Sequence, residues 1–425
     1  VTAIGRGIGL LAVLVLLALA GCARTATDAH TIRFWAMGRE GEVVAELLRE
    51  FERRNPGIHV ELQQLPWKGA HAKLLTAFAG DSTPDVAQLG NTWLPEMVAL
   101  RALAPLDREL AASSQVRADD YFPGIFATNR IDDTVYGIPW YVDTRLLFYR
   151  RDLLAAAGFD APPRTWAQWR QAMVALKARA APDQYAILLP LNEFEPLLVL
   201  ALQQDEPLLR DGGRYGNFRS DGFRRALGFY LELFGAGLAP PVSNTQVANV
   251  WNEFGRGTFA FYPSGPWNIA EFERRLPPAQ QASWATMPMP GPQGPGASNA
   301  GGSSLVVFAA SRAKPAAWRL IEFLSEPAVQ SRFYALSGNL PPRRSAWSDP
   351  SLARDAHVQA FRDQLERARP TPAIPEWEQI VTEMQLVAEQ AVLTGQGVDA
   401  AVIEIDRRVD AMLSKRRWML DKGQQ

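Results

Sequence analysis

Between Ile32 and Leu89 the apolar residues change spacing four times, and that order constrains the fold more than any other feature of the chain. Ile32-Arg33-Phe34-Trp35 reads as a short strand. Val43, Val44, Leu47, Leu48 and Phe51 then recur at helical spacing until Asn55-Pro56-Gly57 stops them. Ile58 to Leu62 alternates as a second strand. A second helix gathers His71, Leu74, Leu75 and Phe78 on one side and is broken at Gly80 to Pro84; Asp85 to Leu89 begins a third strand. Strand–helix–strand–helix–strand is the pattern of an open α/β sheet with crossover helices. In such sheets ligands sit beyond the carboxyl ends of the strands, which places Gly38-Arg39-Glu40 and Gly90-Asn91-Thr92-Trp93 beside a binding crevice.

The same α/β pattern returns later. Leu146 to Tyr149 reads as a strand, followed mostly by helices at Trp166–Ala178, Phe194–Leu202 and Phe223–Phe234. Strand-like Ser304–Phe308 and a helix over Pro315–Leu324 follow, and the remainder is helical to Met419. Two proline-broken stretches, Tyr136 to Tyr141 and Met287 to Pro292, read as crossings between two bodies. Two bodies are also what size demands, because single cores stop growing near roughly 250–300 residues and this chain has 425.

The first residues carry Arg6 as their only charge, then an apolar run from Ile8 to Ala20, too short to span a bilayer. The sequence Leu19-Ala20-Gly21-Cys22 resembles the lipobox of bacterial lipoproteins. Residues 1–21 are therefore expected to be a signal peptide, Cys22 the lipidated residue, and 22–29 a tether. Cys22 is the only cysteine, so an exported chain has no internal disulfide to make from it. The expected location is the periplasm or cell surface, held at a membrane; the leaflet stays open.

Composition excludes some functions and suggests one. A formal net charge of −1 argues against nucleic acid as a partner. The four histidines are scattered, with no metal-ligand spacing; no G-x-S-x-G elbow or phosphate-cradling glycine motif is present. Neither a catalytic group nor a cofactor is expected. Paired carboxylates such as Glu193 and Glu195 leave a glycosidase formally open. Thirteen tryptophans suggest carbohydrate, whose apolar ring faces stack on indole.

A set of ordered segments carries a resemblance to a known family. They include Phe51 to Ile58, Gly80 to Val86, Tyr136-Gly137-Ile138-Pro139, Leu147 to Leu154 and Phe254 to Ala260. Gly265-Pro266-Trp267, Gly301-Gly302-Ser303-Ser304 and Ser337-Gly338-Asn339-Leu340-Pro341 complete the set. The chain resembles the extracellular solute-binding proteins of carbohydrate ABC transporters, similar to maltose- and trehalose/maltose-binding proteins. The resemblance runs over nearly all of the chain after the signal. It implies a two-lobed periplasmic-binding-protein fold whose lobes are joined by hinge strands. Lobe one is expected over 30–138 and 288–330, and lobe two over 139–287 and 331–425.

The resemblance also implies a monomeric, lipid-anchored receptor that captures a small oligosaccharide, with a lean to maltose or trehalose, and delivers it to permease subunits. Two rivals stay open: the same fold binding a non-sugar ligand such as a polyamine, and an exported glycoside-processing enzyme. Expected ligand contacts from lobe one are Arg39, Glu40, Asp85, Asn91 and Trp93. Arg39 and Glu40 have an alternative as exposed helix-start charges, Asp85 as a turn cap, and Trp67 either lines the cleft or packs. From the hinge and lobe two come Tyr141, Asp143, Asn192 and Glu193, with Glu195 an alternative to Glu193, and Trp267 as a stacking platform. Gly301 and Gly302 are expected to let backbone approach the ligand, and Arg343 and Trp377 are late additions. Related proteins often have Trp before that glycine pair, where this chain has Ala300.

Overall fold

The computed structural model describes residues 31–423. The expected signal peptide, Cys22 and the expected tether lie outside the described residues. The main strands in chain order are β1 (Thr31–Met37), β2 (His59–Leu65), β3 (Val86–Gly90), β4 (Gly137–Asp143) and β5 (Leu146–Arg150). They continue with β6 (Tyr185–Ile187), β7 (Phe259–Ser264), β8 (Trp284–Met287), β9 (Ser298–Asn299), β10 (Gly301–Val307) and β11 (Ala368–Arg369). Helices that bear on the site are α1 (Gly38–Arg54), α2 (Ala70–Ala79), α3 (Glu195–Leu202), α4 (Trp267–Arg275), α5 (Pro327–Ser337) and α6 (Trp377–Thr394).

Two larger sheets form, as the two-lobed fold requires, beside three two-stranded ones among the described residues. The first has the order β2-β1-β3-β10-β4, with β1, β2 and β3 parallel and β10 antiparallel to both its neighbours. The second has the order β8-β5-β7-β6. α1 forms because its apolar residues repeat on one face: Val43, Val44, Leu47, Leu48 and Phe51 are all buried against the first sheet. It ends where Asn55 donates its backbone N–H back to Phe51, at 2.9 Å. All five residues of β3 are buried, which is why that strand reads as a continuous run rather than an alternation. The helices expected over 166–178, 194–202, 223–234 and 315–324 are all present, shifted at their ends by a few residues.

The crossings fall at different residues from those expected. β4 stays hydrogen-bonded to β10 as far as Asp143, so the chain leaves the first sheet at Thr144–Arg145 and not at 138/139. Pro139 pairs with Ser304 beside a register shift between Ser303 and Ser304, the kind of irregularity at which a strand accommodates proline. Met287 to Pro292 is no crossing either. Met289 is buried in the core of the second sheet, and the Gly291 carbonyl accepts the Trp166 N–H at 2.8 Å. The chain returns only after β9, at Ala300. The expected division at 330/331 falls inside α5, which packs as one helix with Val329 and Phe333 in the first core. The third crossing therefore follows Ser337.

The three crossings are tied side by side. The Val142 N–H donates to the Leu340 carbonyl at 2.9 Å, and the Arg145 N–H to Ser298 Oγ at 3.2 Å. This belt lies between the sheets and forms the floor of a cleft.

Candidate functional site

The cleft between the two sheets has a volume of about 1220 Å³ and is lined from both sides. Its first wall is built at the carboxyl ends of β1 and β3. Glu40, one turn into α1, is buried although charged. Its carboxylate accepts the Asn339 side-chain amide at 2.6 Å and the Trp67 indole N–H at 3.3 Å. Those two donors replace water around the charge, and the start of α1 adds its dipole. Trp67 stands edge-on to Trp93, with ring centroids 5.7 Å apart, and so lines the cleft. Arg39 reaches the same opening with its guanidinium exposed and donates to Glu42 at 3.0 Å. Asn91 donates to the Ala300 carbonyl at 2.6 Å, tying the end of β3 to the second crossing.

The floor carries a buried polar chain. Gln88 accepts the Met37 N–H at 2.7 Å and donates to the Tyr141 hydroxyl at 3.1 Å, to which Ser303 Oγ also donates at 2.9 Å. Burial holds the Tyr141 hydroxyl well above its ordinary pKa, and nearby Glu40 adds to the shift, so it stays a neutral donor. Gly301 and Gly302 line the cleft, but the contacts their missing side chains allow are with the strand. A Cβ on Gly301 would lie 2.4 Å from the Asp143 carbonyl, and one on Gly302 2.3 Å from that of Tyr141. Gly302 also has φ +128, a backbone shape other residues rarely take.

The second wall holds Asp143, Glu195, Phe194, Trp267 and Trp251. Trp267 opens α4, its ring folded back over the preceding turn and 37% exposed to the cleft. That fold-back needs Gly265, since a Cβ there would lie 1.9 Å from the indole ring. Arg145 lies over the ring, its guanidinium carbon 4.8 Å from the centroid. The Arg145 side chain also bonds Asp143 at 2.9 Å and Glu195 at 2.6 Å. Burial raises the Asp143 carboxyl above its ordinary pKa although Arg145 opposes the shift. Glu193 is raised by burial and by the neighbouring Glu195.

Of the residues singled out from sequence, Arg39, Glu40, Asn91, Trp93, Tyr141, Asp143, Trp267, Gly301, Gly302 and Trp377 meet at this cleft. Asp85, Asn192, Glu193 and Arg343 do not line it. Asp85 lies just before β3, at the opposite end from Gly90, where it accepts the Arg33 N–H at 2.9 Å and the Ser311 hydroxyl at 2.7 Å. Arg343 is buried behind the third crossing, bonded to Asp120 at 2.7 Å and to the Ser325 carbonyl at 2.6 Å. Asn192 is occupied by Asn244, at 2.8 Å, and Glu193 accepts from the Asn244 amide. Glu195 takes the cleft position instead, because it begins α3 and is aimed by Arg145. Trp377 is 1% exposed, and its indole N–H has no partner among the described residues.

Sequence reading missed Phe194, Trp251 and Tyr334 of the cleft lining, and Arg145 behind it. Phe194 and Arg145 are each adjacent to, or one residue from, an acid already named, which was the available signal. Trp251 and Tyr334 carry none, since an aromatic on a helix face reads first as core. Indoles on both walls, interleaved with carboxylates and amides, suit a neutral ligand with apolar faces and many hydroxyl groups.

Residues 38–331 match the family described as bacterial extracellular solute-binding protein. A putative binding protein of Brucella abortus (strain 2308) is 27% identical over 418 residues, covering 96% of this chain and 98% of that one. The diacetylchitobiose binding protein DasA of Streptomyces coelicolor is 22% identical over 399 residues, with 91% of each chain covered. Among solved structures, the sugar-binding protein MalE from the phytopathogen Xanthomonas citri is 59% identical with a TM-score of 0.90. That match covers 92% of this chain and 99% of the other.

Proposed function

The chain belongs to the bacterial extracellular solute-binding protein family, and from that premise we propose that it is the sugar receptor of an ABC importer. It captures a small oligosaccharide by hinge closure and hands it to permease subunits. The single observation that carries this reading is Trp267, an indole 37% exposed to the cleft beside Asp143 and Glu195. An apolar sugar face rests on that ring. Glu40, Asp143 and Glu195 accept hydrogen bonds from sugar hydroxyls, the Tyr141 hydroxyl remains available at the floor, and the Trp377 N–H, without a partner among the described residues, donates from the rear. No bond is broken, and closure replaces water around the sugar with these fixed groups.

The lean within the class is to an α-glucosyl disaccharide such as maltose or trehalose, supported by the 59% identical sugar-binding MalE. The division of the chain into two lobes is proposed as 31–143 with 301–337 for the first, and 146–299 with 341–423 for the second, on the strength of sheet membership. Cys22 is proposed as the lipid anchor that keeps a monomeric receptor concentrated near its transporter in the periplasm or at the cell surface. Melting the protein against a panel of mono- and oligosaccharides tests the reading. A bound sugar raises the melting temperature by mass action and is recovered chemically unchanged. A panel without any shift, or products of hydrolysis, overturns it.

A further inference from the structure

Arg145 does not face the open cleft, yet it touches four parts of the site. It lies in the two-residue link between β4 and β5, the first crossing. Its Nη1 donates to Asp143 at the end of the first sheet, and its Nη2 to Glu195 at the start of α3 in the second lobe. Its guanidinium plane lies against Trp267. Its backbone N–H donates to both Ser298 and Asn299 on the second crossing, at 3.2 and 3.3 Å. The side chain is only 12% exposed.

We propose that Arg145 is a positioning residue that sets the affinity and the pH range of sugar binding from the hinge. It favours the charged carboxylate of Asp143, orients the Glu195 carboxyl group as an acceptor and fixes the ring of Trp267. The inference rests on the receptor reading above.

Charge count carries the argument. Asp143 on β4, Glu193 on the loop before α3, and Glu195 on α3 all face this one cation, and Glu40 on α1 adds a fourth negative charge nearby. Asn244 donates to Glu193, while Tyr141 and Tyr262 are the neutral hydroxyls of the surroundings. Burial opposes the charge on Arg145, but Asp143 and Glu195 outweigh it and hold the guanidinium protonated. Without the cation the acids repel one another in a place short of water, and protons fill the deficit. A protonated acid donates where an ionised one accepts, so recognition of hydroxyls changes with it. Lysine brings the charge but neither the two-armed fork nor the flat face.

The test compares wild type with Arg145→Met, Arg145→Lys and the charge-compensated Arg145→Met/Glu195→Gln. Two quantities are read between about pH 4 and 8, a range spanning ordinary and raised carboxyl pKa values. The first is the emission of Trp267 in sugar-free protein, obtained by difference from the same variants carrying Trp267→Phe. The second is the Kd for the best sugar of the panel. In Arg145→Met both titration midpoints rise by about one unit, so affinity drops about threefold at the pH midway between the wild-type and variant midpoints and about tenfold well below both. Arg145→Lys falls between, and the double variant returns toward wild type. An equal loss of affinity at every pH, with midpoints unmoved, overturns the proposal, as does an unchanged Arg145→Met. The emission titration needs no ligand. Wild type that ignores every sugar counts against the receptor reading, whereas unmoved sugar-free midpoints count against Arg145.

Discussion

Gly265→Ala adds one methyl group and leaves Trp267 in the sequence, so it isolates what the orientation of the indole contributes. The added Cβ would sit 1.9 Å from Cζ3 and 2.3 Å from Cη2 of the Trp267 ring. Ordinary carbon contacts are about 3.5–4.0 Å, so the ring must move by more than about 1.5 Å. The backbone itself accepts alanine, since Gly265 is not among the residues with positive φ. Moving the ring takes its face from the ligand and breaks its contact with Arg145. A tryptophan covers roughly 150–250 Å² when fully buried, and with 37% of Trp267 exposed roughly 80 Å² is available to a sugar. At about 25 cal/mol per Å², covering that surface contributes about 2 kcal/mol. Losing half or more of it weakens binding by about 5- to 30-fold.

Isothermal titration with the best sugar of the panel measures this, with Trp267→Ala and the double variant alongside. The expected pattern is strongly non-additive: Gly265→Ala weakens binding in wild type and has almost no further effect once the ring is gone. Melting temperature changes little, because the indole faces the cleft and not the core. Wild-type affinity in Gly265→Ala, or losses that add in the double variant, would refute the claim that this glycine acts through the tryptophan.

Asp85→Ala is expected to lower stability by about 1–3 kcal/mol in urea, because the Arg33 N–H and Ser311 hydroxyl lose their buried acceptor. Its sugar affinity is expected to match wild type, since Asp85 sits at the end of β3 away from the cleft. Arg343→Met is expected to destabilise by about 2 kcal/mol at neutral pH, by stranding Asp120. Burial opposes ionisation of Asp120, but bonds from Ser345 and Arg343 win and hold its carboxyl below the usual range. That stability is present above the unfolded pKa and lost as pH falls through the folded one. The gap between wild type and variant should therefore close below about pH 4 in denaturation series. Trp377→Phe removes an indole N–H that has no partner among the described residues. It is expected to weaken sugar binding about threefold to tenfold in calorimetry, and Trp169→Phe, in the core of the second sheet, serves as the control without effect.

Much of this molecule is legible in its sequence where the signal is local. The spacing of Val43 to Phe51 shows α1 directly, and the stop at Asn55-Pro56-Gly57 shows its end. The cleft edge follows from strand ends, which is why Glu40, Asn91 and Trp93 were within reach. Crossings are harder, because they are defined by which sheet a strand joins and not by its own composition. Pro139 looks like a break yet lies within β4, where a register shift absorbs it. Met287 to Pro292 looks like a linker yet is packed on its own lobe. Asp85 and Arg343 show the other limit: a polar residue beside a plausible motif satisfies a buried backbone as readily as a ligand. Arg145 escaped notice because, apart from nearby Asp143, its partners Glu195, Trp267 and Ser298 are distant in sequence and meet only at the hinge.

The central claim is that the cleft holds one small oligosaccharide on Trp267 between the two walls. Calorimetric titration of the purified protein with maltose, trehalose and longer glucosides tests it most directly. One sugar is expected to bind per chain, with an affinity that falls about 5- to 30-fold in Trp267→Ala. The absence of binding heat for every oligosaccharide, or binding that ignores the loss of Trp267, would contradict the account.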